Sequence, residues 1–177
     1  MALEKWKIDT IHSSVNFSIR HLMVSKVHGK FAKWSGTVEF DEQNPSASQI
    51  AAQIEVSSID TGEPQRDGHL RSADFFEVEK YPQMTFRSTK VEAAGDGAFK
   101  VTGDLSMHGV TKSVVLDAEF AGRAKNPRTG TAHAGFSAHT SLNRKDFGLN
   151  FNVAMDAGGV MVGDKVEISI EIETAAA

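Results

Sequence analysis

Alternation of apolar and polar residues at every second position constrains this chain more than any other feature, and it is cleanest near the C-terminus. Val166, Ile168, Ile170 and Ile172 alternate with Glu167, Ser169, Glu171 and Glu173. Successive side chains of a strand point to opposite faces, so this pattern describes a strand with one dry face and one wet face. The same period runs through Val15, Phe17 and Ile19, through Trp34, Gly36, Val38 and Phe40, and through Ile50, Ala52, Ile54 and Val56. It continues in Met84 and Phe86, in Val101, Gly103, Leu105 and Met107, in Val114, Leu116, Ala118 and Phe120, and in Ala134, Phe136, Ala138 and Thr140.

Turn signals separate these runs: Ser25 to Lys30 with Gly29, Asp41 to Ser48 with Pro45, Gly95 to Gly97, His108-Gly109, Gly122 to Gly130 with Pro127, and Gly158-Gly159. About eight or more such strands with turns between them, and no alternation of strands with long helices, specify an antiparallel barrel or sandwich. The rhythm breaks once, at Thr61 to Phe76. Pro64 suits a first helical turn, Thr61 is placed to cap it, Asp67 and Arg71 are spaced to pair on a helix, and Ser72 can cap a further turn. A short helical segment over 64–76, crossing an end of the sheet, is expected. The 177 residues make one domain.

Composition removes several function classes. Without cysteine the chain has no disulfide, no thiolate nucleophile and no cysteine-ligated metal. A net charge of −4 argues against nucleic acid as a partner. The opening MALEKWKID lacks the apolar run of a secretory leader, and no stretch is apolar for long enough to span a membrane as a helix. A soluble, cytoplasmic protein is expected, or a periplasmic one if a leader has been removed.

Chemistry is sparse. There is no His-x-His pair, and His133 and His139 lie about 20 Å apart along one strand, too far to share an ion. No metal and no cofactor are expected. Gly135 to His139 lacks the last glycine and the strand-to-helix setting of a nucleophile elbow, and neither a P-loop nor a dinucleotide fingerprint is present. Three polar clusters remain, namely Arg20-His21, Arg66 to Arg71 with His69, and Asn143 to Asp146. Each serves either as caps and surface ion pairs or as donors to an anionic or polar head group. Arg66 to Arg71 is the best-placed for the second role, because Phe75 and Phe76 follow it. An eight-stranded barrel can be filled by its own side chains or hold one small ligand. Eleven Phe and six Met serve a packed core or an elongated apolar guest equally well.

Six blocks in order carry a family resemblance. Trp6-Lys7-Ile8-Asp9 leads to His12-Ser13, Phe17-Ser18-Ile19-Arg20-His21 and Val27-His28-Gly29-Lys30-Phe31. Arg66 to Phe76 follows, then Tyr81-Pro82-Gln83-Met84-Thr85-Phe86. Gly103 to Lys112, Asn143 to Gly148 and Gly163 to Val166 complete the pattern. In these motifs the chain resembles the YceI-like family of lipid-binding proteins. The resemblance implies an extended, lipocalin-like antiparallel β-barrel around a long apolar tunnel. It implies a polyisoprenoid ligand, or a related isoprenoid quinone or fatty-acid derivative, and it implies a homodimer.

On that reading, inward-facing Phe17, Ile19, Phe31, Phe40, Ile54 and Phe86 line the tunnel with Leu105, Met107, Phe136 and Phe147, joined by Phe75 and Phe76. His21, Arg66, His69 and Arg71 would meet the head group. The expected function is binding, for transport, storage or sequestration, with no catalysis. Two alternatives are a lipid-modifying enzyme that uses His12 and Asp9 as an acid–base pair, and a ligand-free partner in a stress or redox assembly.

Overall fold

The computed structural model describes residues 3–156 and 158–177. The chain opens with β1 (Glu4–Ile8), β2 (Ser14–His21), β3 (Ser25–Phe31), β4 (Trp34–Phe40), β5 (Gln49–Glu55) and β6 (Ile59–Asp60). Helix α1 (Pro64–Arg71) follows. The long strands β7 (Gln83–Gly95), β8 (Ala98–Met107), β9 (Val110–Lys125), β10 (Ala132–Asn143) and β11 (Val162–Ala176) complete the chain.

All described pairings are antiparallel, and β1, β4, β5, β7, β8, β9, β10 and β11 close into a ring through β1 and β11. The remaining strands extend that ring at one end. β1 and β2 lie end to end along one edge of β11, with Trp6 opposite Ala176 and Val15 opposite Ile170. β3 and β4 are the two halves of the next bent stave, pairing with β2 and β1 in turn. β5 and β6 form the third, against β4 and β3. The result is an antiparallel eight-stave β-barrel with one helix, in agreement with the alternation. Closure removes the unpaired edges that an open sheet would present.

Three local features depart from the sequence expectation. The first hairpin turn is Leu22–Val24, not Ser25 to Lys30, which is strand β3. Leu22 and Met23 adopt left-handed backbone, with φ of 53° and 63°, so this turn carries none of the residues that normally mark one. Gly29 lies within β3, where a Cβ would overlap the Phe17 ring; its role is close approach rather than turning. Strand β9 runs on through Gly122 to Lys125 across a bulge opposite Gly135/Phe136, leaving a loop only at 126–131.

The helix is also capped differently from its sequence expectation. Glu63, not Thr61, is the N-cap, its carboxylate accepting from the Gln65 amide at 2.9 Å. Thr61 instead donates its amide and hydroxyl to the buried Asp67, at 2.9 and 2.5 Å. Asp67 is therefore occupied by Thr61 and does not pair with Arg71.

Among the described residues, no helix is long and apolar enough to cross a membrane.

Candidate functional site

The barrel is hollow. A cavity of about 760 Å³ runs through it, within the range of small-molecule sites. Its wall comes from the inward positions of the alternating strands, so the pattern that makes the fold also makes the lining apolar. Val15 and Ile19 on β2, and Val166, Ile168 and Ile170 on β11, point into the lumen yet remain only half-buried, because the surface they face is empty space. At one end the lumen stops. There Phe40 meets Phe99, Phe120 and Phe136 with ring centroids 5.1–5.3 Å apart, a contact geometry favourable for aromatic rings.

All twelve expected tunnel residues line this cavity. Phe40 and Phe136 stand at the packed end, and Ile54, Phe86 and Leu105 along the wall. Phe17, Ile19, Phe31, Met107 and Phe147 lie toward the other end, with Phe75 and Phe76 in the turn after α1. Phe31 bridges Phe17 at 5.6 Å and Phe76 at 6.2 Å, which ties the helical segment to the barrel wall.

The end covered by α1 opens to solvent. Of the five exposed residues in the lining, Arg20, Glu63, Gln65 and His69 stand at this end, and only Glu119 lies elsewhere. His21, Arg66 and His69 line the cavity here. Arg66 spends Nε on the Thr61 hydroxyl and Nη2 on the Thr61 carbonyl, at 2.8 and 2.9 Å. Its Nη1 makes no hydrogen bond among the described residues. His69 packs edge-on against Phe75 and Phe151, with centroids 5.1 and 5.0 Å away, and its Nε2 lies 2.8 Å from Asp74 Oδ2.

Arg71 is not part of the wall. Its guanidinium donates to the carbonyls of Ser57 and Ile59, at 2.8 and 3.2 Å. It pins α1 to β6, and its place at a head group gives way to that structural one.

Arg144 is the residue that the sequence most concealed. In a run of charges it reads as exposed, but its side chain is 3% exposed and borders the cavity. It donates to the carbonyls of Leu149, Phe151, Gly163 and Val162, at 2.6, 2.9, 2.8 and 3.3 Å. Desolvation lowers its pKa from the ordinary arginine value, opposed by Asp164. This side chain ties Leu149 and Phe151 to Val162 and Gly163 beside the opening, and the Asn152 side chain adds two bonds to Val162. The sequence signal for Arg144 is the Gly148 cap, at φ 74°, that ends the 3-10 turn Arg144–Phe147 and turns the chain back over the guanidinium. Phe151 was also missed, because it belongs to no alternating run.

The other histidines are distributed around the shell. His108 Nδ1 lies 2.9 Å from the Phe147 carbonyl. His12 and Asp9 do meet, at 2.8 Å, in the break between β1 and β2. The bond to Asp9 holds His12 above its ordinary value, and the same bond is the main cause that holds Asp9 below its own. Neither lines the cavity, so the pair is not placed to act on a guest. Glu173 joins them, with donor atoms of all three within 4.8 Å of one another, the one described grouping able to hold a metal ion. Ser137 sits in mid-strand between Glu119 and Glu171, with no helix following it.

Comparison with known proteins follows the same outline. Residues 6–174 match the YceI-like domain family. Protein YceI of Salmonella newport is 42% identical over 171 residues, which is 96% of this chain and 85% of the relative. A UPF0312 protein of Ectopseudomonas mendocina is 41% identical over 162 residues, 92% and 81% of the two chains. Among solved structures, the Campylobacter jejuni YCEI protein superimposes with a TM-score of 0.74 at 34% identity, over 89% of this chain and 90% of that one. A polyisoprenoid binding domain from Saccharophagus degradans shares the fold, with a TM-score of 0.69 at 17% identity over 99% and 100%. With that fold, that cavity and those relatives, the chain belongs to the YceI-like family.

Proposed function

We propose that this protein binds a long-chain amphiphile of the polyisoprenoid type inside the barrel and carries or sequesters it. The observation that carries the reading is the hollow, almost wholly apolar interior: inward-facing Val and Ile side chains remain accessible where a packed core would bury them. Emptiness of that kind is costly unless a guest fills it, because lining atoms forfeit their contacts across a gap. The polyisoprenoid ligand named for the Saccharophagus degradans domain, which shares this fold, supports the chemical class.

The apolar chain of the guest would run from the opening toward the Phe40 cluster. Its polar end would stay near His21, Arg66 and His69, where Arg66 Nη1 and the imidazoles offer donors. An isoprenoid quinone or a fatty-acid derivative fits the same arrangement of apolar shaft and polar end. The position of His12 and Asp9 outside the cavity supports binding rather than catalysis. The homodimer that the resemblance implies belongs to this reading, and sedimentation velocity measures it.

Native mass spectrometry of the purified protein, followed by organic extraction, tests the proposal. A co-purifying long-chain amphiphile is expected. Recovery of none, together with no uptake of geranylgeraniol by the extracted protein, overturns it.

A further inference from the structure

Five of the large apolar side chains left exposed among the described residues gather in one place. Leu22 is 42% exposed, Met23 60% and Val24 80%, all in the β2–β3 turn; Val153 at 47% and Val160 at 38% lie on the neighbouring segment. The two parts are one surface. The Leu22 amide donates to the Met161 carbonyl at 2.8 Å, the Met161 amide to the Val153 carbonyl at 2.9 Å, and Met23 Sδ rests over Gly159. Concentrated apolar exposure of this kind marks an interaction site, unlike scattered single residues.

The turn itself gives no structural reason for these residues. Leu22 and Met23 both have left-handed backbone, a conformation that Gly, Asn or Asp adopts with less strain. Large apolar side chains occupy it against local preference.

Position and charge identify the occupant. The patch rims the cavity opening: Arg20, His21, Met161 and Val162, its immediate chain neighbours, line the cavity. A chain passing from a bilayer into the lumen there would cross no water. Arg20 is exposed and, among the described residues, makes no ion pair. Lys26 on the same hairpin is exposed, bonded to Glu167 at 3.0 Å, and Arg66 faces the opening from α1. Of the acids nearby, Glu63 caps α1 and Asp164 lies 3.4 Å from Lys145, while Asp156 on the 153–160 segment is exposed. An apolar tip flanked by cations suits the headgroup and acyl boundary of an anionic membrane.

We propose that the Leu22–Val24 tip docks the cavity opening onto an anionic lipid bilayer. This rests on the reading of the cavity as a lipid site, and the experiment separates the two. Flotation with phosphatidylglycerol–phosphatidylcholine vesicles is measured for the full chain and for the triple variant Leu22→Asn, Met23→Gly, Val24→Thr, whose turn chemistry favours folding. Uptake of geranylgeraniol from detergent is measured in parallel.

The wild type is expected to float with anionic vesicles more than with pure phosphatidylcholine, and the variant to lose at least tenfold in binding while its uptake is unchanged. A wild type that stays unbound, or a variant that binds equally, overturns the docking. So does a tip substitution that dissociates a dimer and leaves flotation intact, since the patch then faces a second copy. Flotation lost in the variant with no uptake by either protein would instead overturn the cavity reading.

Discussion

The two ends of the barrel are made from the same alternating pattern and finish differently. At one end Phe40, Phe99, Phe120 and Phe136 fill the lumen, with Phe40 4% exposed. Arg123 crosses that end from β9, lying over the Phe120 ring and binding Glu4 of β1 and Glu42 beyond β4. At the other end Val15, Ile19, Val166 and Ile168 stay half-buried beside Phe17, Phe31 and Phe147, the cover is a two-turn helix, and Arg144 and Asn152 hold the segment beside the opening. Convergence, not the number of rings, marks the difference. Phe99, Phe120 and Phe136 all meet Phe40 at one end, whereas Phe17, Phe31 and Phe76 follow one another along the wall at the other, so one end supplies rigidity and the other supplies space.

Truncation on the two sides is the sharpest way to break that comparison. Phe40→Ala should cost about 3–5 kcal/mol of stability, because it removes the ring shared by three aromatic contacts. Ile168→Ala, already facing space, should cost less than half as much, and should weaken guest binding instead. Urea unfolding of the extracted protein measures both, and equal losses would mean that the lumen is not hollow.

Arg144→Met should be nearly as damaging, about 3 kcal/mol, since it leaves several carbonyls of the 149–163 region without donors. Hydrogen exchange should then rise first in that segment and leave the Phe40 end protected. Uniform exchange across the barrel would show that the two ends are not independent.

Gly29→Ala should push the Phe17 ring into the lumen. A stability cost of about 1–3 kcal/mol is expected from overpacking, and a guest filling the original lumen should bind more weakly. Differential scanning fluorimetry and uptake assays read the two effects; unchanged uptake would place the guest away from Phe17.

The smallest effect belongs to His12 and Asp9, remote from either end. His12 is raised above 6.5, so its contribution is complete below that value and lost as pH rises through its folded pKa. Asp9 is lowered below 3.8, so its contribution is present above that value and lost as pH falls through its folded pKa. Stability from the pair is therefore fullest between those two values. His12→Asn should lower Tm between 3.8 and 6.5 and soften its decline above 6.5 and below 3.8, while a curve of unchanged shape would remove the pair from the account.

The antiparallel strands were legible because alternation assigns each residue to the inner or outer face, and β11 or β8 read correctly from that alone; closure into a barrel rather than a sandwich came from the resemblance. Whether the inside was filled was not legible by the same route. That depends on which inward residues stand opposite one another across the lumen, and a strand pattern records only its own face. The resemblance, rather than the periodicity, pointed to the tunnel. The places of Arg144 and Arg71 were hidden for a related reason. A charged run offers surface pairing or a head-group contact, and only the fold brings backbone carbonyls around these two side chains. The Leu22–Val24 turn escaped because it lacks turn residues altogether, and the same lack makes its exposed surface informative.

On the proposed function, the lumen holds an apolar chain along its length. Isothermal titration of the extracted protein with a series of primary alcohols and prenols of increasing length tests it most directly. Each buried methylene should contribute about 0.8 kcal/mol, roughly a fourfold gain in affinity per carbon, until the chain reaches the Phe40 cluster and the gain stops. Affinity that is absent, or that does not change with chain length, would contradict the account.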